Sequence, residues 1–392
     1  ELLRVADQTM NSTNKKKLRI AVIRQKYTPH GGAERFVDTL LKALNEHTET
    51  EVTLITRQWK EPANQALNII ECNPFYLGRL WRGWSFYRAA CATLKQHDFD
   101  IVQSHERAPC ADIYRAGDGV HRGWLHQRQR AQSWWGKIWI SISPYHRYIL
   151  RQERRVFENK KLLTIIANSE TIKQEITHYF PSHQAQIVVV PNAVDQEKFH
   201  PNLRTQYRTS IREQHNIPED TYVSLFIGSG YERKGVKKLL EIFSQLPDEH
   251  QLIIIGKDKH QEKFNTLSKK MKLESKIHFL GPQQDVRPFI GAADLFVFPS
   301  LYDPLPNSTL EAAASGLPVL ASNTTGDADL TEAIGISAPD PLDTTAWIKA
   351  IKTLQKRDPI QTNDMAPYKG STMADTLLQL YQDTLKRKHE TL

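Results

Sequence analysis

The chain has 392 residues, 40% hydrophobic and 24% charged, with a formal net charge of +8. That length suits two domains with separate cores, and the composition excludes a disordered, collagenous or disulfide-dense chain. No stretch has the length of a membrane-spanning helix, and Cys72, Cys91 and Cys110 have neither the number nor the spacing of a disulfide scaffold or zinc site, so a reducing, cytoplasmic setting is expected.

The charge is shared unevenly. Through Asp195 there are 28 basic and 19 acidic residues, whereas the remainder has 24 and 25. A basic half of this kind is expected to face an anionic polymer or surface. Residues 1–16 read as an extension ahead of the first strand, with Met10 as an alternative start.

Short β-branched runs then alternate with helical patterns, the signature of parallel sheets covered by helices, hence an α/β fold. Strands are expected at Leu18–Ile23, Glu51–Thr56, Ile101–Ser104, Ile113–Ala116, Leu162–Ala167 and Ile187–Val190. Pro191-Asn192-Ala193-Val194-Asp195 punctuates the chain, and a domain boundary is placed there, dividing residues 17–190 from 191–370. Further strands follow at Tyr222–Ile227, Gln251–Ile255, Lys276–Leu280, Leu295–Phe298 and Pro318–Ala321. The segment 371–392 carries an apolar helical stripe through Met373, Leu377, Leu380 and Tyr381.

After the first strand of the second half comes Gly228-Ser229-Gly230-Tyr231-Glu232-Arg233-Lys234-Gly235, then a helix from Val236. Glycines admit close backbone approach, and the free N–H groups of a helix start favour anions. Arg233 and Lys234 add two cations, enough to counter a diphosphate without a metal. Read alone, the same residues also make a strand-to-helix turn with solvated cations.

The most specific segment runs Ser300-Leu-Tyr-Asp303-Pro-Leu-Pro306-Asn307-Ser308-Thr309-Leu-Glu311, entered from Asp294-Leu-Phe-Val-Phe-Pro299 and left through Gly316-Leu-Pro318. It resembles the donor-site motif of family 4 retaining nucleotide-sugar glycosyltransferases, with Asp303 where many members carry Glu. The resemblance implies the GT-B architecture, in which two Rossmann-like domains face each other across a cleft. It also implies a last helix that crosses back onto the first domain and a nucleotide-sugar donor, taken as UDP-glucose, with no metal or other cofactor. Glu311 is then the partner of the ribose hydroxyls and Asp303 the sugar-facing group. The backbone N–H groups of Asn307, Ser308 and Thr309 are expected to hold sugar and phosphate oxygens. Ile277-His278-Phe279-Leu280-Gly281 matches the segment that packs on the base. In the first half, Gly31 and Gly32 in Gly31-Gly32-Ala33-Glu34-Arg35 match the family's Gly-Gly element beside the donor.

Asp98 and Asp100 sit just ahead of a strand and Asp327 and Asp329 follow Gly-Leu-Pro, places where acidic pairs cap or solubilise. In Arg115-Ala-Gly117-Asp118-Gly119-Val-His121, Asp118 projects from a strand's C-terminal edge, where open α/β sheets place ligands. This segment resembles that of the enzymes that add the first glucose to the lipopolysaccharide inner core. Asp118 is expected to orient the acceptor or act as base. His121 stands as a second catalytic candidate, because other branches of the family place a His there.

Between His121 and Arg155 lie eight cations and one acid, with four tryptophans interleaved. Arg122, Trp124, Arg128, Arg130, Trp134, Trp135, Lys137 and Trp139 are expected to meet an anionic membrane surface or the acceptor, with Leu80–Arg88 extending that face. A basic aromatic run also suits nucleic acid, yet no nucleic-acid module is present, and none is expected as a partner. The expected activity is hexose transfer onto the inner core of a lipid-anchored lipopolysaccharide or lipooligosaccharide, by an enzyme on the cytoplasmic face of the inner membrane. The alternatives are a capsule, O-antigen or glycolipid acceptor, and a nucleotide-sugar-binding peripheral membrane protein without turnover.

Overall fold

The structure, a computed structural model, describes residues 17–25, 36, 40, 50–58, 68–356 and 364–390; Gly31, Gly32 and the 1–16 extension lie outside them. Two parallel sheets organise the chain. The first contains β1 (Leu18–Ile23), β2 (Thr50–Thr56), β3 (Asn68–Glu71), β4 (Ile101–Ser104), β5 (Ile113–Arg115), β6 (Thr164–Ala167) and β7 (Gln186–Val189), in the order β3-β2-β1-β4-β5-β6-β7. The second contains β8 (Tyr222–Ile227), β9 (His250–Ile255), β10 (Ile277–Gly281), β11 (Leu295–Phe298) and β12 (Val319–Ala321), in the order β10-β9-β8-β11-β12. Helices cover both sheets, so residues 20–23 of β1, 165–167 of β6 and all of β11 are unbroken apolar runs with no exposed surface.

The fold is therefore α/β with two Rossmann-like sheets, as expected. The strand absent from the sequence reading is β3, a four-residue edge strand only half buried, whose pattern is too short to register as alternation.

The last helix, Gly370–Glu390, returns to the first sheet. Its stripe of Met373, Leu377, Leu380 and Tyr381 packs with Ile20, Val22, Ile101 and Ile113. Polar contacts fix its register: the Tyr381 hydroxyl donates to Gln103 at 2.8 Å, and Lys388 reaches Asp112 at 2.9 Å.

Two expectations need correction. Cys91, on helix Gly78–Leu94, and Cys110, in the loop after β4, form a disulfide, leaving Cys72 as the free, buried thiol. The partners are 19 residues apart in sequence and meet only because that helix packs beside the loop. Asp327 neither caps nor solubilises. It occupies the N-cap position of helix Ala328–Ala333 without a side-chain cap and is wholly buried. Neither of its oxygens meets a hydrogen-bond partner. Burial pushes its pKa up to about 7, against the nearby Thr325 and Thr309 hydroxyls, which draw it down.

Candidate active site

The C-terminal edges of the two sheets face each other across a cleft, the expected ligand position in open α/β sheets. Polar contacts across the cleft hold the halves together. Ser169 Oγ donates to the Pro304 carbonyl at 2.9 Å, and Asn192 Nδ2 donates to the Leu305 carbonyl at 3.0 Å. Arg130 pairs with Asp340 at 2.5 Å. The Tyr302 hydroxyl accepts from the Val120 N–H and donates to Glu175 Oε2, both at 2.7 Å. Gly119 makes the last contact feasible: its φ is +71°, and a Cβ there would collide with the Tyr302 hydroxyl.

A cavity of about 320 Å³ lies in the cleft. From the first half Arg115, Gly117 and Asp118 line it, joined by Asn192 from the linker that follows β7. From the second come Gly228 and Lys234 after β8, Asp303 and the 305–308 segment after β11, then Glu311 and Val286.

Lys234 lies 3.6 Å from Asp303 Oδ2, with its ammonium 5.0 Å from the centre of the Phe298 ring. Burial lowers its pKa, and Asp303 opposes that shift. Arg233 donates to the Tyr302 carbonyl at 2.6 Å and to Asp303 Oδ2 at 3.1 Å. Asp303 thus sits between two cations, mostly buried, with one oxygen committed to both. Arg233 does not line the 320 Å³ cavity. It faces a neighbouring cavity of about 850 Å³, bordered also by Trp124, Arg128, Lys237 and Lys263.

Helix Asn307–Ala314 starts after Pro306 with no side-chain cap, so the N–H groups of its first turn have no intrahelical acceptor. The side chains of that turn are occupied. Asn307 Oδ1 accepts from Asn192 at 2.9 Å, and Ser308 Oγ donates to the Ile227 carbonyl at 3.1 Å. Thr309 Oγ1 donates to the Pro306 carbonyl at 2.7 Å and is fully buried away from the cavity, so only its backbone could serve a ligand. Glu311, 5% exposed, lies on the helix face that borders the cavity.

Asp118 is exposed at the cavity's edge, in the turn after β5. His121 does not line this cavity. It opens helix His121–Arg130, where its N–H donates to Glu153 Oε1 at 2.7 Å and its ring lies 3.1 Å from His146. Burial, with Arg107, His146 and Arg128 nearby, drives its pKa down to about 3. Its imidazole faces His146 rather than the cavity.

The basic aromatic stretch divides in two. Trp124 is half buried against Tyr302, with ring centres 6.3 Å apart. Arg122 lies over the Tyr179 ring at 5.4 Å, Arg128 contacts His146 at 3.3 Å, and Arg130 is paired across the cleft. Trp124 and Arg128 are half buried in these contacts, whereas Arg122 and Arg130 make theirs while remaining exposed. Helix Trp134–Ile142 behaves differently: Trp134, Trp135 and Trp139 are 60%, 60% and 70% exposed, and Lys137 is exposed among them. No described helix is long and apolar enough to cross a membrane.

Sequence reasoning missed Arg115, Asn192, Tyr302 and Glu175. Asn192 had a signal, standing in the Pro191-Asn192 turn that was read only as punctuation. The other three depend on which elements meet across the cleft. Among the described residues, no cluster of three or more His, Cys, Asp or Glu side chains is arranged to hold a metal ion.

Residues 30–198 match the Glycosyltransferase Family 4 domain, and residues 207–369 match the Glycosyl transferases group 1 domain. The chain is 25% identical over 314 residues to the lipopolysaccharide glucosyltransferase WaaG of Escherichia coli K12, covering 78% of this chain and 81% of that protein. It is 33% identical over 115 residues to the lipopolysaccharide core biosynthesis glycosyltransferase LpsE of Rhizobium meliloti, covering 29% of this chain and 34% of that protein. The crystal structure of WaaG superposes with a TM-score of 0.73 at 22% identity, covering 93% of this chain and 98% of that one. Anabaena HepE, solved in complex with UDP-glucose, superposes at 0.62 with 16% identity, covering 95% of this chain and 100% of that one. The chain belongs to the glycosyltransferases of GT-B architecture, with a family 4 N-terminal half and a group 1 C-terminal half.

Proposed function

We propose that the protein transfers glucose from UDP-glucose, with retention of configuration, onto an inner-core sugar of a lipid-anchored oligosaccharide of the lipopolysaccharide or lipooligosaccharide type. The observation that carries this reading is the two-walled cavity. Lys234, Asp303, Glu311 and a helix start line one side, and Asp118 stands at the edge of the other. In the proposed reaction the bond between the sugar's anomeric carbon and the diphosphate oxygen breaks as the acceptor oxygen bonds to the same face. The acceptor's proton leaves with the diphosphate. Lys234 and the first-turn N–H groups stabilise the charge that develops on the leaving group, with Arg233 holding Asp303 in place. Glu311 takes the ribose hydroxyls, and Asp118 orients the acceptor. The residues 17–190, 191–370 and 371–392 act as acceptor domain, donor domain and cross-over helix.

The relatives named for lipopolysaccharide synthesis favour this acceptor class, and the exposed tryptophans of helix Trp134–Ile142 favour docking on an anionic leaflet. We place the enzyme on the cytoplasmic face of the inner membrane. The charge set aimed at the diphosphate requires no metal. The test is UDP release and glucose incorporation with membranes bearing truncated inner core, in buffer containing EDTA. Transfer only to capsule or O-antigen lipid intermediates would replace the acceptor assignment. Normal turnover by a variant with both Arg233→Ala and Lys234→Ala would sink the donor assignment.

A further inference from the structure

Arg115 ends β5 in the first half, and its side chain is 3% exposed. Its Nη2 donates to Asn192 Oδ1 at 2.7 Å, and its guanidinium carbon lies 3.7 Å from the centre of the Phe36 ring. Its Nε is buried without an acceptor. Among the described residues no carboxylate forms an ion pair with it; Asp118 acts only as a longer-range attraction. Gly117 leaves the guanidinium its space, because a Cβ there would collide with Nη1.

Burying a cation without a counter-charge is costly, and such groups are kept where something else meets the charge. The geometry shows where that would be. Arg115 lines the 320 Å³ cavity together with Lys234. Asn192, which orients Arg115, also donates to Asn307 Oδ1 and the Leu305 carbonyl. The guanidinium is thus tethered through one residue to the helix start that opens on the cavity. Arg233 and Lys234 already share Asp303, whereas Arg115 brings a positive charge that no acid in the described structure pairs.

We propose that Arg115 binds the diphosphate of the nucleoside diphosphate from the first half, facing Lys234 in the second, an inference that rests on the nucleotide-sugar reading of this cavity. The contact makes diphosphate binding a cross-cleft event, since the anion then bridges the two sheets. Burial holds the Arg115 pKa down to about 9, so the side chain is charged at neutral pH and gains most from an anion that shares its desolvated site.

The experiment is calorimetric titration of the full chain with UDP, ADP, GDP, UMP and uridine, without acceptor, for wild type, Arg115→Met and Arg115→Lys. Each protein is also melted without ligand. Arg115→Met is expected to weaken UDP binding by at least ~10-fold, as loss of a charge-assisted contact should. UMP is expected to lose less than UDP, uridine nothing, and Arg115→Lys to fall between. The ligand-free melting temperature of Arg115→Met is expected to stay level or rise, because an unpaired buried cation has been removed. A merely structural arginine predicts the opposite, a lower ligand-free melting temperature with unchanged UDP affinity, and that result overturns the inference. Unchanged UDP affinity combined with lost transfer to a phosphorylated acceptor also overturns it, assigning the phosphate to the acceptor. If the wild type binds none of UDP, ADP and GDP, the nucleotide-sugar reading falls first, a failure the wild-type titration alone reveals.

Discussion

Tyr302→Phe deletes one oxygen from the cleft and tests whether closure depends on it. The ring is 4% exposed and packs near Trp124, so phenylalanine fills the same space. Two hydrogen bonds disappear, one from the Val120 N–H and one to Glu175, both 2.7 Å in the native protein. A buried N–H left without an acceptor costs about 1–3 kcal/mol, and a hydrogen bond to a charged carboxylate contributes about 1.5–3 kcal/mol. Both act between the halves, and solvent recovers part of each when the cleft opens. About 2–4 kcal/mol is therefore removed from closure, a shift of roughly 30- to 900-fold in the closed-to-open ratio. The Ser169, Asn192 and Arg130 contacts remain, which favours the lower end. Small-angle scattering should report a larger radius of gyration for the variant, and kcat/KM should fall at least tenfold. A variant that scatters like the wild type and keeps kcat/KM within twofold would refute the latch.

Other perturbations follow from the same contacts. Burial raises the Glu175 pKa to about 7, with the Tyr302 hydroxyl holding it down. Its stabilising share is then present below about pH 4.5 and lost as pH rises through 7. Glu175→Gln should be the more stable protein at pH 8, by on the order of 2–3 kcal/mol, and the gap should close near pH 5; denaturant unfolding at the two pH values checks this. Asp327 has the same sign, its carboxyl losing stability as pH rises through about 7. Asp327→Asn should raise the melting temperature most at pH 8, less at pH 5, and hardly at all as pH falls to the ordinary aspartate range; calorimetry across these pH values gives the answer. Lys234→Met should raise the Kd for UDP at least tenfold with little change in the ligand-free melting temperature; equal affinity would remove Lys234 from the site. Replacing Trp134, Trp135 and Trp139 together with Ser should abolish co-sedimentation with anionic vesicles while leaving UDP binding intact.

Much of this protein is determined by local sequence. Parallel strands buried on both faces must be written as apolar runs, so β1, β4, β8 and β11 have the bounds their composition predicts. The donor wall is equally local. Asp303, Asn307, Ser308 and Glu311 occupy one loop and the helix it opens, and Lys234 sits in the turn after β8. Short-range spacing alone brings the first four near one another, which is why a motif can carry them, while Lys234 joins them through the pairing of β8 with β11.

Contacts across the cleft leave no such trace. Val120 and Tyr302 are far apart in the chain and meet only because two sheets present their C-terminal edges to each other, and Arg115 meets Asn192 only because β5 and β7 flank β6 in one sheet. The cysteine pair follows the same logic, since spacing says nothing about a helix that packs beside a distant loop. The tertiary structure also separated what composition had merged. Of the aromatic basic stretch, Trp124 packs against Tyr302 at the cleft and Arg130 reaches Asp340 across it, while Trp134, Trp135 and Trp139 turn outward. Which side a tryptophan faces depends on what packs against its helix, and that is decided by the fold as a whole.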